Sequence, residues 1–542
     1  MESTAVPEEG RKSGLVESNQ KNQQPAYHGA SLAFSQFLSA FVPEFARKST
    51  QMGRASWLLE TTGAPDAAAL RAELDAEVRR MFSSPEVAAK LEAWDKDLSI
   101  TDPILKRQLN ILIRAFKQNL IAPERLEELA RKEAQLSSSY AAFRAQCEER
   151  SWSENEIKDL LRQEKDVNRR REVWNASKQV GVELAPQILA LVKLRNQAAR
   201  DLGYSDYFQM QLELQEVDGA WLESFFDQLS KDSEHAYEKV LEELKAGGIT
   251  LDPWSWSDPF CQEDPLNVHE LDQLVASTDM VAASLRFYKQ MGFDVKPILD
   301  RSDLYERPNK SQHAFCMNVD RGFDVRTLNN LRPTIRWLDT LLHELGHAVY
   351  ELGYDLSLPW LLREPPHMIT TEAMALIAGR QAYQTESLKL LLEGTPDPKL
   401  LEKAEHSQRR RQLIFSRWVF VMTHFERELY RDPSQDLNKL WWDCVARYQK
   451  ITPPPRPKGA ADWAAKYHIG LAPVYYFSYL LGELFASTVR RSVSAPFASP
   501  EMGRFLQQKV FAPGDRMSWF ELIKYATGAP ISARHWLEEY SK

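Results

Sequence analysis

Leu341-Leu342-His343-Glu344-Leu345-Gly346-His347 lies inside a longer run, Pro333 to Leu352, that reads as one amphipathic helix. Pro333 permits a start, and Ile335, Leu338, Leu341, Leu342, Leu345 and Val349 recur at helical spacing. Residues four apart share a helix face, so His343 and His347 can offer two imidazoles to one metal ion. Glu344 falls between them, angled away from the pair but near the metal. There it can accept a proton from an attacking water instead of ligating. The His-Glu-x-x-His pattern therefore points to metal-assisted hydrolysis.

A catalytic zinc needs a third protein ligand and an open fourth position. Beyond a Pro-broken loop (Leu358-Pro359-Trp360 to Glu364-Pro365-Pro366) comes a second helical stretch, Thr370-Thr371-Glu372-Ala373-Met374-Ala375-Leu376-Ile377-Ala378. Thr370 or Thr371 can cap it, placing Glu372 in its first turn. His343, His347 and Glu372 then form the ligand set for one Zn2+ per chain, with Glu364 as the next candidate for the third ligand.

The rest of the chain is read as mainly α. Residues 1 to about 28 are polar and read as a disordered tail, and 29–542 read as one large helical domain. From Ala30 onward apolar residues recur three and four apart, giving helices over Ala68–Phe82, Pro85–Leu98, Leu105–Leu120, Pro123–Cys147, Trp152–Ala176, Leu184–Gly203, Asp206–Leu214, Ala220–Leu244 and Leu271–Met291. A long tract runs on to Tyr430, followed by Leu437–Lys450 and Pro473–Ser487. The best strands are Ala314–Asn318 and Val325–Leu328. Gly247–Pro265 is irregular and rich in aromatics, which suits a packed, cleft-lining loop. Arg409-Arg410-Arg411 reads as a solvated helix face.

Composition narrows the partners. A net charge of −8, with no large Lys/Arg block, argues against nucleic acid or a membrane surface. No apolar run has spanning length, and the N-terminus lacks the apolar core of a signal peptide. The four cysteines are scattered and suit reduced thiols in the cytoplasm.

From about Trp254 to Glu483 the chain resembles the angiotensin-converting-enzyme-like peptidyl-dipeptidases. Thimet oligopeptidases and bacterial oligoendopeptidases are more distant relatives. All are gluzincin zinc peptidases, so the resemblance implies a two-lobed helical body with a deep central cleft and a small β element. Weaker echoes reach Arg195–Leu214. His313-Ala314 stands thirty residues before His343, as the family's strand-edge pair does, implying substrate alignment. Lys466-Tyr467-His468, followed by Tyr476 and Tyr479, matches the family's Lys-aromatic-His segment and tyrosine pair. By resemblance Tyr479 donates to the oxyanion, His468 assists at the carbonyl, and Tyr476 and Lys466 hold the substrate's C-terminal carboxylate. Tyr475 is the alternative if the register slips by one.

Some positions depart from the converting-enzyme pattern. The His347–Glu372 interval is twenty-five, equal to the thimet interval. Leu376 stands where a carboxylate follows the third ligand, and Trp254 where a glutamine helps hold the substrate. Phe477-Ser478 replaces the arginine linked to chloride activation, and Gln312 and Asn330 replace a disulfide pair. The implied function is hydrolysis of short peptides, with release of C-terminal dipeptides. The alternatives are a thimet-type endo-acting oligopeptidase and an idle zinc-stabilised binding scaffold.

Overall fold

The structure, a computed structural model, describes residues 29–266 and 268–541. The tail expected over 1–28 lies outside the described residues. The fold is mainly α, with two two-stranded antiparallel hairpins. Among the described residues no helix is long and apolar enough to cross a membrane.

Helix starts follow local chemistry. Many open on proline after a capping residue: Asp102 accepts two backbone N–H groups before Pro103–Asn119, and Asp397 caps Pro398–Arg431. Several long sequence runs prove to be two elements. Pro123–Cys147 stops as a helix at Ala142 and ends in a strand, Ala145–Cys147, paired with Arg150–Trp152. Trp152–Ala176 is Glu154–Gln163 and Val167–Ala176, the second capped by Asp166, and Ala220–Leu244 restarts at Glu234. Apolar residues recur on both sides of these breaks, and the new start after Gln163 is marked by the Asp166 cap and not by the pattern.

The apolar interior divides into two cores. The smaller joins Ala30–Thr62 to Pro103–Asn119 and their neighbours, through Phe34, Leu91, Leu109 and Phe116. Arg107 ties this unit to the rest, gripping Glu216 at 2.6 Å and also Asp515. The larger core holds the metal-site helices.

Three helices stack at its centre: Ile335–Leu352, Met368–Gly379 and Phe477–Ser492. The middle helix carries Glu372 and is approached on both sides at glycines. A Cβ on Gly346 would stand 2.8 Å from the Met374 carbonyl oxygen and 2.9 Å from Ala375 Cα. One on Gly482 would stand 3.4 Å from Glu372 Cβ. The first contact involves backbone, which cannot step aside as a side-chain tip can.

The hairpin Phe315–Asn318 with Val325–Leu328 lies against the first of these helices. Asp303 bridges Leu328 on its far side. Among the described residues the outer edge of Phe315–Asn318 has no backbone partner.

Gly346→Ala should force the two ligand-bearing helices apart, at about 1–3 kcal/mol, the usual cost of overpacking. Thermal unfolding should show a lowered Tm together with weakened metal binding. A native Tm would mean that the helices separate freely.

Candidate active site

The histidine helix begins at Thr334, whose side chain accepts the Trp337 N–H. Its apolar face is buried at Leu338, Leu341, Leu342 and Leu345. That burial turns His343 and His347 toward the neighbouring helix, where side-chain exposures of 23% and 14% leave a path to solvent. The neighbour is capped by His367, which accepts the Ile369 N–H through Nδ1. Thr370 and Thr371 therefore lie inside the helix and Glu372 is past its first turn, a correction to the expected cap. The two hydroxyls are engaged elsewhere: Thr370 Oγ1 donates to the His367 carbonyl and Thr371 Oγ1 meets His347.

His343, His347 and Glu372 form a metal-ligand cluster, with their ligand atoms all within 4.8 Å of one another. Glu372 Oε2 lies 3.7 Å from His343 Nε2 and 4.0 Å from His347 Nε2. It is buried and has no hydrogen-bond partner. Ligand atoms around a tetrahedral zinc stand about 3.4 Å apart for bonds of about 2.1 Å. A small contraction would seat the ion, so the residues fit it. Glu364, the alternative ligand, pairs with Arg321 instead.

Burial sets the protonation states. It holds His343 down at about 4 and His347 well below the ordinary value, so both offer neutral imidazoles near pH 7. It pushes Glu372 up to about 7, against a hydrogen bond from Tyr475. Glu344 is raised well above the usual carboxylate range, first by burial and then by the Glu372 charge.

Groups around the ligands orient them. His347 Nδ1 is 2.7 Å from Thr371 Oγ1; with a proton on Nδ1, the Nε2 lone pair faces Glu372. Asp339, one turn before His343, is the charge that favours its protonated form, and Arg411 holds that carboxylate at 2.9 Å. Arg409-Arg410-Arg411 is accordingly not a solvated face. Arg410 is buried against Asp264, Arg411 grips Asp339 and Arg409 grips Glu243, because Pro398–Arg431 runs through the larger core.

The tyrosines resolve the open register. Tyr475 Oη donates to Glu372 Oε1 at 3.1 Å, and its ring lies 5.1 Å from that of Tyr479. Tyr476 turns the other way, 4.9 Å from His468 and 5.5 Å from Tyr479. All three belong to the site, and Tyr475 is the residue that pattern matching had left as an alternative. Tyr479 is raised above its ordinary value by burial and then by the Glu372 charge, which keeps its O–H available for donation. Burial, followed by Lys466 and His313, holds His468 down at about 3, and its Nδ1 has no partner. His313 and Ala314 stand in the bend just before the strand, which begins at Phe315 where ladder pairing starts.

Lys466 is buried. Its ammonium donates to Gln262 Oε1 at 3.2 Å and lies over the rings of Phe260, Trp418 and Tyr476. Gln262 thus places an amide beside Lys466, while Trp254 packs on Trp174. The loop carrying Gln262 is tightly held. Asp258 accepts the N–H groups of Phe260, Gln262 and Glu263, and Lys178 and Gln449 donate to carbonyls at Pro259, Phe260 and Cys261.

Comparison with known proteins agrees with this geometry. The family model described as angiotensin-converting enzyme matches residues 30–244, and that of peptidase family M3 matches 300–542. Each match covers less than half of the chain, and together they make it similar to the gluzincin peptidases. These families are zinc-dependent, and every site residue assigned from the sequence falls in the M3 match. Angiotensin-converting enzyme of Mus musculus is 24% identical over 49% of this chain and 23% of its own length. The Bos taurus protein of that name is 22% identical over 96% of this chain and 44% of its own. Carboxypeptidase 1 of Bacillus subtilis strain 168 is 24% identical over 48% of this chain and 56% of its own. The chain therefore spans little more than half, or less, of the length of these relatives.

Glu344→Gln should keep zinc and lose nearly all turnover, whereas Glu372→Ala should lose both; metal analysis beside a peptide assay checks this. Tyr475→Phe should weaken zinc binding by about tenfold, within the range for partners of metal ligands. Competition with a chromogenic chelator reads that change, and native affinity would show that the Tyr475 hydroxyl does not support Glu372.

Proposed function

We propose that this chain is a zinc-dependent peptidase acting on short, unstructured peptides, which it holds by the free C-terminal carboxylate to release dipeptides. The observation that carries the reading is Lys466, a buried ammonium with no carboxylate partner among the described residues. An ammonium in such surroundings is costly unless an anion completes it. Tyr476 and Gln262 beside it offer further donors. Contacts of 5.5 Å from Lys466 to Tyr476, 5.5 Å on to Tyr479 and 5.1 Å on to Tyr475 lead to Glu372.

Zinc held by His343, His347 and Glu372 supplies Lewis acidity at the scissile carbonyl. Glu344 accepts the proton of the attacking water and passes it to the leaving nitrogen. Tyr479 donates to the developing oxyanion, and His468, neutral at working pH, assists at the same oxygen. The open edge of Phe315–Asn318 offers backbone groups to an extended peptide, and His313 stands at its entry. An intact base argues against the idle scaffold.

Endo-cleavage of the thimet kind is the second reading. The twenty-five-residue interval and the M3 match over the site favour it. The name carboxypeptidase, carried by the Bacillus subtilis relative, suits recognition of a free C-terminus. Four free cysteines are consistent with a cytoplasmic setting.

Amidating the C-terminus of a test peptide should slow cleavage by about tenfold, and Lys466→Ala should abolish that difference. Product mapping by mass spectrometry decides the register. Equal cutting of free and amidated peptides at internal bonds would make the enzyme an oligopeptidase.

A further inference from the structure

The segment between His468 and the tyrosines contains the sharpest backbone anomaly near the site. Val474 has φ +57°. It is the only β-branched residue in the left-handed region among the described residues, where its side chain crowds its own backbone. Such a conformation persists only when the surroundings hold it. Here they hold it from both sides of one residue. Glu426, buried on Pro398–Arg431, accepts the Val474 N–H at 3.0 Å, and Gln215 Nε2 donates to the Val474 carbonyl at 3.2 Å. A third contact fixes the start of the bend: Arg195 donates to the Gly470 carbonyl at 2.9 Å and is itself bound by Glu133 at 2.6 Å.

The next residues along the chain are Tyr475 and Tyr476, with Tyr479 one turn further. Tyr475 must reach Glu372, while Tyr476 must face His468 and Lys466. A right-handed residue at 474 would turn the chain out of that arrangement.

We propose that Glu426 and Gln215 are positioning residues that grip Val474 in its strained bend and thereby aim Tyr475, Tyr476 and Tyr479 into the site. The inference rests on the peptidase reading for its catalytic consequence, but the grip itself is independent of it. Burial pushes Glu426 up to about 8, so near neutral pH it is largely the uncharged acid, which glutamine imitates.

The test compares Glu426→Leu, Glu426→Gln, Gln215→Leu and the double variant Glu426→Leu/Val474→Gly. Hydrogen exchange of the 471–480 peptides, zinc content and steady-state kinetics are read on each. Glu426→Leu and Gln215→Leu should raise exchange over 471–480 while leaving the 335–352 helix unchanged, and should weaken zinc binding no more than Tyr475→Phe does. Their kcat should fall at least tenfold, with a smaller change in KM. Glu426→Gln should behave as the native enzyme. Glycine at 474, which removes the drive to leave the bend, should restore part of the kcat lost in Glu426→Leu.

Native exchange and native kcat in Glu426→Leu would overturn the proposal. Where that variant does not fold, the same native result in Gln215→Leu overturns it. Raised exchange across the 335–352 helix as well would also overturn it, since that marks general structural damage. A native enzyme without peptidase activity would sink the proposed function alone, because the exchange result still decides whether Glu426 and Gln215 hold the bend.

Discussion

The site depends on two helices approaching closely enough to share a metal ion. The His343 and Glu372 helices meet where Gly346 faces the backbone of Met374 and Ala375. Any side chain there would push Glu372 away from the imidazoles, whose nitrogens now lie 3.7 and 4.0 Å from its free oxygen. Gly482 repeats the device on the other side, bringing the tyrosine helix against Glu372. Close packing of this kind stores the site's geometry in backbone contacts, which are far stiffer than side-chain tips.

A second theme is that charge is buried and wired throughout. Arg410 with Asp264 and Arg107 with Asp515 sit inside the molecule, while Arg411 with Asp339 and Arg107 with Glu216 reach its margin. Removing one member of such a pair strands the other, a penalty larger than the net worth of the pair. The Arg411–Asp339 pair connects this wiring to His343 itself. Lys466, like Lys178, is a buried ammonium with no carboxylate partner among the described residues, and the proposed function gives it an anion to bind.

Much of the site was legible in the sequence because it is encoded locally. The His343–His347 spacing and the helical face around it need only helix geometry, and Glu372 follows from a second helix in the next segment. The hairpin at 315–328 was likewise readable from short apolar runs. What escaped notice depends on tertiary placement. Nothing in Gly247–Pro265 singles out Gln262, which meets Lys466 only because Asp258, Lys178 and Gln449 fold the loop back. Three neighbouring tyrosines could not be ranked by spacing, since the bend at Val474 decides where each one points. The arginine triplet was misread because its helix, charged in sequence, passes through the core. Breaks such as Glu164–Asp166 were invisible to periodicity because only the Asp166 cap marks the new start.

On the proposed reading, a receptor for the C-terminal carboxylate has a consequence after the bond is cut. The leaving fragment would keep that carboxylate, so Lys466 and its neighbours would hold product by the contacts that held substrate. Such binding does not distinguish ground state from transition state and contributes nothing to the chemical step. Accumulating dipeptides would therefore compete with fresh substrate, and turnover would slow as conversion proceeds. An enzyme of this design works best where other peptidases clear its products quickly.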